Sequence, residues 1–355
     1  MPAVVVVAVA LVATVVTLRT TGVVGPGSVA RPAAGDPVAV AAASPPPAGA
    51  RPFEVGVVGA EDPAVIGQLT GLGPRVARDE FTADTTVEQL APLVGRLADH
   101  GIRLQPLVGW DDGTPAPDLT NVARWAAAFG PGGTFWAGRA GTPEPMTDIE
   151  LGNENAKYYK SGEATKPRYA ELASAYGHRA VDAARAVDAA NHAVGVLVEL
   201  ESGDSGTSTW IDDTLAAGGP DLARLMHAPV IHAYGPDWRA KLDQNFRFLA
   251  ARGVHKPYAM TEWGISSDDG PSLDDNYGWP TDLTYDRAGS LLTAAITQMS
   301  TIPNELGQVM LFQLHDQRDP GTDTDREHYF GLLRADGSPK GAYTAAARAA
   351  YGRFP

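Results

Sequence analysis

The chain of 355 residues contains no cysteine. Disulfide bonds, thiolate metal ligands and cysteine nucleophiles are therefore excluded. Basic residues are also few, because 28 lysines and arginines stand against 42 aspartates and glutamates, which gives a formal net charge of −14. An acidic surface of this kind argues against nucleic acid and anionic membrane as partners. It suits a soluble protein that acts on a neutral molecule.

Two ligand-binding patterns are missing as well. The sequence after the first predicted strand reads "GVVGAEDPAV" and has no G-x-G-x-x-G turn, so an open dinucleotide-binding sheet loses its main support. The acidic loops 266–279 and 315–328 lack the residue spacing of a calcium-binding EF-hand loop. We therefore interpret both loops as solvated and predict neither a metal nor a cofactor.

One long apolar run lies at the N-terminus. Residues 3–18, "AVVVVAVALVATVVTL", are apolar apart from Thr14 and Thr17, and Arg19 ends the run. The run is short for a membrane span and suits the hydrophobic region of a signal peptide, and Ser28-Val29-Ala30 offers a cleavage pattern. No basic residue precedes the run, so an uncleaved anchor stays as the alternative. We predict a secreted protein whose residues 1–30 form a signal peptide or membrane anchor.

The next segment, residues 31–52, is rich in proline and alanine. Nothing in it can build a hydrophobic core, so we predict a disordered linker. The folded domain is predicted to cover residues 53–355.

This domain alternates short apolar runs with stretches of helical period. Leu292, Ala295, Ile296 and Met299, for example, lie on one face of a helix. Strands that alternate with helices imply parallel strands and right-handed crossovers, and eight such units make a single (β/α)₈ barrel. The predicted strands are 53–59, 75–81, 103–110, 147–154, 193–200, 230–235, 257–264 and 308–316.

Polar and aromatic residues collect where these strands end, as the catalytic residues of such barrels do. Fewer such residues lie where the predicted strands begin. The residues at or near strand ends that we take as candidates are Arg78, Trp110, Asn153, Glu154, His232, Tyr234, Glu262, Trp263, Gln313 and His315.

Glu154 and Glu262 form the pair with the clearest chemistry. They end the fourth and seventh predicted strands, nearly opposite each other around a ring of eight. Two carboxyl groups that face each other across a solvent-filled pocket can take different roles. One, kept protonated, is a proton donor, and the other, as a carboxylate, is a nucleophile. Tyr234 and Arg78 are placed to keep Glu262 ionised. Glu150, on the same side of its strand as Glu154, is interpreted as a supporting or buried paired group.

The remaining candidates suit the binding of a sugar. Asn153 can donate a hydrogen bond to a sugar hydroxyl, and Trp110 and Trp263 offer flat faces for sugar rings. His232 and His315 are included for their positions alone, since single histidines are usually structural.

The ordered set of motifs resembles clan A of the retaining glycoside hydrolases. The matching residues are Asn153-Glu154, His232-x-Tyr234, "TEWG" at 261–264 and the closing "YFGLLRADGSPKGAYTAA". The similarity spans essentially the whole domain. It implies that Glu154 is the acid/base, that Glu262 is the nucleophile, and that Arg78 is the family's strand-two arginine.

Two positions depart from the cellulase-like families of this clan. Gly109-Trp110 stands where those families usually carry a histidine, and Gln313 and His315 stand where they carry a tryptophan. The first sugar subsite is therefore predicted to differ from that of a cellulase. The segment "IELGNEN" is also similar to xylosidase-like and glucuronidase-like branches of the clan.

The sequence thus predicts a secreted, monomeric retaining glycosidase that cleaves β-linked glycans without a cofactor or protein partner. A transglycosylase with the same site and a catalytically silent glycan-binding barrel remain as alternatives. A barrel oxidoreductase is disfavoured by the glutamate pair and by the missing dinucleotide pattern.

Overall fold

The structure is a computed structural model that describes residues 52–60, 62–109, 119–158, 166–202, 206–270, 273–274 and 277–354. The predicted signal peptide or anchor, the linker up to residue 51 and Trp110 lie outside the described residues. No helix among the described residues is both long and apolar enough to span a bilayer.

Eight parallel strands form a closed barrel in the order in which they occur along the chain. The last strand pairs with the first, for example at Glu54 opposite Gln308, and this pairing closes the ring. The predicted barrel is confirmed. The strands are β1 (Glu54–Val58), β2 (Val76–Phe81), β3 (Arg103–Val108), β4 (Asp148–Leu151), β5 (Gly195–Glu199), β6 (Met226–Val230), β7 (Tyr258–Trp263) and β8 (Leu306–Leu311).

Helices follow the strands and cover the outside of the barrel, where most of the hydrophobic core lies. They are α1 (Ile66–Leu72), α2 (Val87–Ala98), α3 (Thr120–Phe129), α4 (Asn155–Tyr158), α5 (Lys166–Ala190), α6 (Thr209–Leu225), α7 (Trp238–Ala250), α8 (Tyr285–Met299) and α9 (Ala342–Arg353).

The start of α2 shows how local sequence sets these boundaries. Thr86 is the N-cap, and its side chain and that of Gln89 each accept a hydrogen bond from the other residue's backbone N–H. This reciprocal capping box satisfies two N–H groups that a helix start would otherwise leave without partners.

Three strand boundaries differ from the sequence prediction. The sixth strand was predicted at 230–235 but occupies Met226–Val230, so His232 and Tyr234 follow it on a loop. The fourth ends at Leu151, and the eighth ends at Leu311. In each case the residues that follow are wholly or partly buried, although the ladder hydrogen bonds have ended.

The inside of the barrel is polar on some strands and apolar on others. Arg78 lies opposite Gln105 in the ladder, and Glu150 lies opposite Leu197. Since residues in register share a face, Leu197 and its partners on β6 and β7 form a small apolar cluster inside the ring. Beside this cluster, on β2 to β4, the inward residues Arg78, Gln105 and Glu150 are charged or polar, and the candidate site begins there.

Candidate active site

Arg78 and Glu150 form a buried ion pair at the centre of the site. Nε of Arg78 lies 2.7 Å from one carboxylate oxygen of Glu150, and Nη2 lies 2.9 Å from the other. Both side chains are almost completely buried. A bidentate guanidinium–carboxylate pair fixes the orientation of both groups, so the interpretation of Glu150 as a buried paired group is confirmed.

The same arginine holds Glu262. Nη1 of Arg78 donates to Oε1 of Glu262 at 2.9 Å, and the Tyr234 hydroxyl donates to Oε2 at 2.9 Å. Burial opposes the charge of Arg78, but the Glu150 and Glu262 carboxylates outweigh burial and raise the arginine pKa above its usual value. Burial and the charge of Glu262 raise the pKa of Tyr234 far above its usual value. Both groups therefore remain protonated and donate to the Glu262 carboxylate.

Glu154 has a different environment. Its side chain is 21% exposed, against 10% for Glu262. It lies in the turn between β4 and α4, where its own backbone has a φ of +50° and that of Gly152 has a φ of +75°. One oxygen of Glu154 lies within 4.8 Å of one oxygen of Glu262. The strand ends therefore bring the two predicted carboxylates together.

His232 lies between the two glutamates. Its Nδ1 is 3.3 Å from Oε1 of Glu154 and 3.6 Å from Oε2 of Glu262. Its Nε2 is 3.0 Å from the hydroxyl of Thr261, which donates in turn to Glu150. Burial lowers the pKa of His232, but the Glu262 and Glu154 carboxylates outweigh burial and raise that pKa to about 9. At neutral pH the imidazole is a cation that donates from both nitrogens.

Asn153 completes this polar cluster. Its side-chain oxygen accepts a hydrogen bond of 3.2 Å from Nη2 of Arg78. The amide orientation is therefore set, and the NH₂ group is the end that can donate to a ligand.

Aromatic rings form one wall beside Glu262. The ring of Tyr234 lies 5.0 Å from that of Tyr277, 5.4 Å from that of Phe330 and 5.9 Å from that of Phe312. The Tyr277 hydroxyl donates to Glu327, which joins the loop after β7 to the loop after β8. The sequence analysis missed Tyr277, Phe312 and Phe330, although aromatic residues in both loops were the signal available.

The assignment of Trp263 to a sugar-stacking face is wrong in this structure. Its side chain is fully buried and packs edge-on against Trp279 at 6.2 Å between ring centroids. The reason is strand alternation, because Glu262 faces the cleft and the next residue must face the helices.

Two further candidates have no contact with either glutamate. The side-chain nitrogen of Gln313 is buried without a hydrogen-bond partner among the described residues. His315 forms an isolated β-bridge with Leu333, and burial lowers its pKa, while the charge of Asp62 raises it to a smaller extent. Their roles in substrate binding stay predictions.

Among the described residues, one group has potential metal-ligand atoms close enough to share an ion. It consists of Glu154, His232 and Glu262. The group fits a divalent cation poorly. Arg78 and Tyr234 already donate to both oxygens of Glu262, and the Arg78 and His232 cations would repel a metal ion.

The barrel is a fold that known structures share. No family model matches the chain, and no curated protein matches its sequence. A Bacteroides uniformis beta-glucuronidase 2, covalently bound to cyclophellitol-6-carboxylate aziridine, matches 83% of the chain with a TM-score of 0.55 and 14% identity. A GH5_18 protein from Bifidobacterium longum subsp. infantis matches 85% of the chain, and 79% of its own length, with a TM-score of 0.54 and 14% identity.

The chain spans about a third of the length of the glucuronidase, 35% by alignment. At this level of identity the likeness concerns the fold alone. It confirms that the chain has the (β/α)₈ fold found in glycoside hydrolases, as the sequence motifs predicted.

Proposed function

We propose that this chain is a retaining glycoside hydrolase that cleaves β-glycosidic bonds. The observation that carries the proposal is the contrast between two glutamates within 4.8 Å of each other. Glu262 is held by a guanidinium and a phenol, whereas Glu154 is more exposed and contacts His232. Environments that separate the chemistry of two neighbouring carboxyl groups are what a glycosidase needs.

In the first step Glu262 attacks the anomeric carbon while Glu154 protonates the departing oxygen, which gives a covalent glycosyl-enzyme. Arg78 and Tyr234 aim the Glu262 carboxylate through one hydrogen bond to each of its oxygens. In the second step Glu154 accepts a proton from water, and this water releases the sugar with overall retention.

The separation of the carboxylates supports retention over inversion. Retaining enzymes hold the two groups about 5–5.5 Å apart, whereas inverting enzymes need about 6.5–9.5 Å to admit a water between them. One oxygen of Glu154 lies within 4.8 Å of one oxygen of Glu262, which is nearer to the retaining range than to the inverting one.

The substrate class follows from the site and from the surface charge. The amide of Asn153 is oriented to meet a hydroxyl group, and the partly exposed ring of Tyr277, which packs on Tyr234, suits the apolar face of a sugar ring. With a formal net charge of −14, the chain is suited to a neutral β-linked glycan.

Secretion is part of the proposal and rests on the apolar run at residues 3–18. Expression of the full chain in its own host, followed by fractionation and N-terminal sequencing, would test it. A mature N-terminus near residue 31 in the medium supports a cleaved signal peptide. An intact chain in the membrane fraction supports an anchor, and an intact chain in the cytosol contradicts secretion.

Elution as a single chain in gel filtration would support the proposed monomer.

The activity is tested with a panel of aryl β-glycosides and β-linked polysaccharides. We expect Glu262→Ala and Glu154→Ala to lose nearly all turnover, and azide to rescue Glu262→Ala with an inverted glycosyl azide. Glu305→Gln is a suitable control, because Glu305 precedes β8 at the opposite end of the barrel and pairs with Arg239.

Other outcomes separate the alternatives. Transfer of the sugar to added acceptors in preference to water would indicate a transglycosylase. Binding of a glycan with no turnover by the wild type would indicate a silent barrel. Full activity of Glu262→Ala would contradict the proposed mechanism.

A further inference from the structure

The turn that carries Glu154 has an unfavourable backbone. Between the end of β4 and the start of α4, Gly152 has a φ of +75° and Glu154 a φ of +50°. A β-carbon makes the left-handed region unfavourable, so glutamate adopts it rarely. Such a conformation persists only where the surrounding structure holds it. Some group near Glu154 must therefore hold this turn.

Glu199, the last residue of β5, makes the contacts that do so. One of its oxygens accepts hydrogen bonds from the backbone N–H of Asn155 at 2.7 Å and from the side-chain amide of Asn155 at 2.9 Å. The other oxygen accepts from the backbone N–H of Ala156 at 2.7 Å. All three donors belong to the two residues that directly follow Glu154.

The other end of the turn is tied to the same point. The hydroxyl of Tyr176 donates to the carbonyl oxygen of Leu151 at 2.7 Å and accepts from the backbone N–H of Glu199 at 2.7 Å. The chain is thus fixed at Leu151, before the turn, and at Asn155 and Ala156, after it. Gly152 and Glu154 lie between these fixed points.

This arrangement buries a charge without an opposite charge beside it. Glu199 is 2% exposed, and no positively charged side chain that the structure describes lies within salt-bridge distance of it. Burial, and then the charge of Glu201, raises the pKa of Glu199 to about 7, while the three hydrogen bonds lower it. A buried carboxylate costs free energy that hydrogen bonds offset only in part. The gain from Glu199 is therefore expected in the geometry of the site and not in stability.

We propose that Glu199 is a positioning residue, which acts through the backbone of Asn155 and Ala156 to aim the Glu154 carboxylate. The inference rests on the proposed role of Glu154 as acid/base. Glu199 itself does not touch the substrate in this arrangement.

Glu199→Gln is the variant that tests this role with the least change in volume. In glutamine one of the two oxygens becomes an NH₂ group, which cannot accept a hydrogen bond. Whichever way the amide turns, an N–H of Asn155 or Ala156 then faces another N–H. The turn should loosen although the fold remains.

The readout is the dependence of kcat/KM on the leaving group. The probes are aryl β-glycosides of the sugar that the wild type hydrolyses fastest, with leaving groups from dinitrophenol to phenol. A poor leaving group needs the acid, whereas dinitrophenol leaves with little help, and general acid catalysis is worth about 10²–10⁴-fold. We expect Glu199→Gln to lose about ten- to a hundredfold more activity on the phenyl glycoside than on the dinitrophenyl glycoside, which is less than complete loss of the acid would cause.

Glu54→Gln is the matched control. Glu54 begins β1 at the far end of the barrel and also accepts two side-chain hydrogen bonds, from Arg103 at 2.7 Å and from Gln308 at 3.0 Å. Any loss in this variant should be equal for all leaving groups and should follow the folded fraction. If Glu199→Gln behaves in the same way, its role is structural and the inference is overturned.

A second measurement does not depend on turnover. Hydrogen exchange of the segment 151–158 should be faster in Glu199→Gln than in wild type, and it should be unchanged in Glu54→Gln. Unchanged exchange in Glu199→Gln would overturn the inference even if the chain hydrolyses no glycoside.

Glu154→Ala separates this inference from the proposed function. It should show the steepest dependence on the leaving group. If Glu154→Ala shows none, the acid/base role of Glu154 is wrong and the positioning role falls with it. If Glu154→Ala shows the dependence and Glu199→Gln does not, only the inference about Glu199 is wrong.

Discussion

At the scale of single residues, the two glutamates of the site differ only through their neighbours. Glu262 receives one hydrogen bond on each carboxylate oxygen, from Arg78 and Tyr234. Glu154 faces the imidazole of His232 and more solvent. The two carboxylates therefore differ in their hydrogen-bond donors and in their access to solvent, as the proposed division into nucleophile and acid requires.

The Tyr234 hydroxyl supplies one of these donors, and Tyr234→Phe removes it alone. A hydrogen bond to a charged group is worth about 1.5–3 kcal/mol, so we expect kcat/KM to fall by about ten- to a hundredfold. Tyr351→Phe is a matched control, because the Tyr351 hydroxyl is buried with no hydrogen-bond partner in the described structure. Equal activities of the two variants would contradict the role of Tyr234.

His232 gives a prediction about pH. Its pKa in the folded chain is about 9, above the usual 6.5. Protonation of His232 therefore stabilises the fold, fully so below pH 6.5, and this contribution is lost as the pH rises through 9. The difference is on the order of 1–3 kcal/mol.

Urea unfolding of the wild type and of His232→Gln at intervals between pH 6 and 9.5 measures this contribution. The free energy of unfolding of the wild type should fall more steeply with pH than that of the variant. Parallel pH curves for the two proteins would contradict a protonated His232. Because only the difference between the curves is used, titration of Glu199 in the same range cancels.

At the scale of elements, the ends of the strands place the chemistry. The sequence predicted Arg78, Glu154, His232, Tyr234 and Glu262 at one end of a barrel, because polar residues after apolar runs stand out. It did not predict where the fourth and sixth strands stop, because the residues that follow are partly or fully buried and continue the pattern without a break. It also could not place Tyr277 or Phe330 beside Tyr234, since those contacts depend on how two loops meet.

The turn after β4 is the element on which Glu154 depends, and Gly152→Ala tests it. A β-carbon at Gly152 would lie 2.3 Å from the side-chain nitrogen of Asn155 and 2.9 Å from the ring of Tyr176. The turn must shift, so we expect a large loss of kcat/KM together with a loss of stability.

Gly73→Ala is the control for this change. Gly73 also has a positive φ, +93°, but a β-carbon there would meet nothing within 4 Å. Both variants should lose about 1 kcal/mol in free energy of unfolding for the left-handed backbone alone. Only Gly152→Ala should lose activity, and a fully active Gly152→Ala would show that the turn does not set the position of Glu154.

At the scale of the whole molecule, a buried lysine connects the last helix to two loops at the end of the barrel. Lys340, just before α9, is completely buried and donates to Asp316 at 2.7 Å. It also donates to the carbonyl oxygens of Ser267 and Tyr329. The last helix is thereby joined to the loops after β7 and β8. The sequence analysis recognised "SPKGAY" as part of a family-like ending, but a lysine in an exposed-looking turn gave no sign that it would be buried.

Lys340→Met should destabilise the fold strongly, because it leaves Asp316 buried beside two carbonyl groups that have lost their donor. Breaking a buried ion pair by removing one partner costs about 3–5 kcal/mol. The double variant Lys340→Met/Asp316→Asn removes the isolated charge as well, and an asparagine still accepts the backbone hydrogen bond from Gly331. It should therefore recover a large part of the lost free energy of unfolding, measured by urea denaturation. The contrary outcome is that Asp316→Asn lowers the free energy of unfolding as much in the Lys340→Met background as it does alone. The two groups would then not be coupled, and the apolar core would hold the loops to α9.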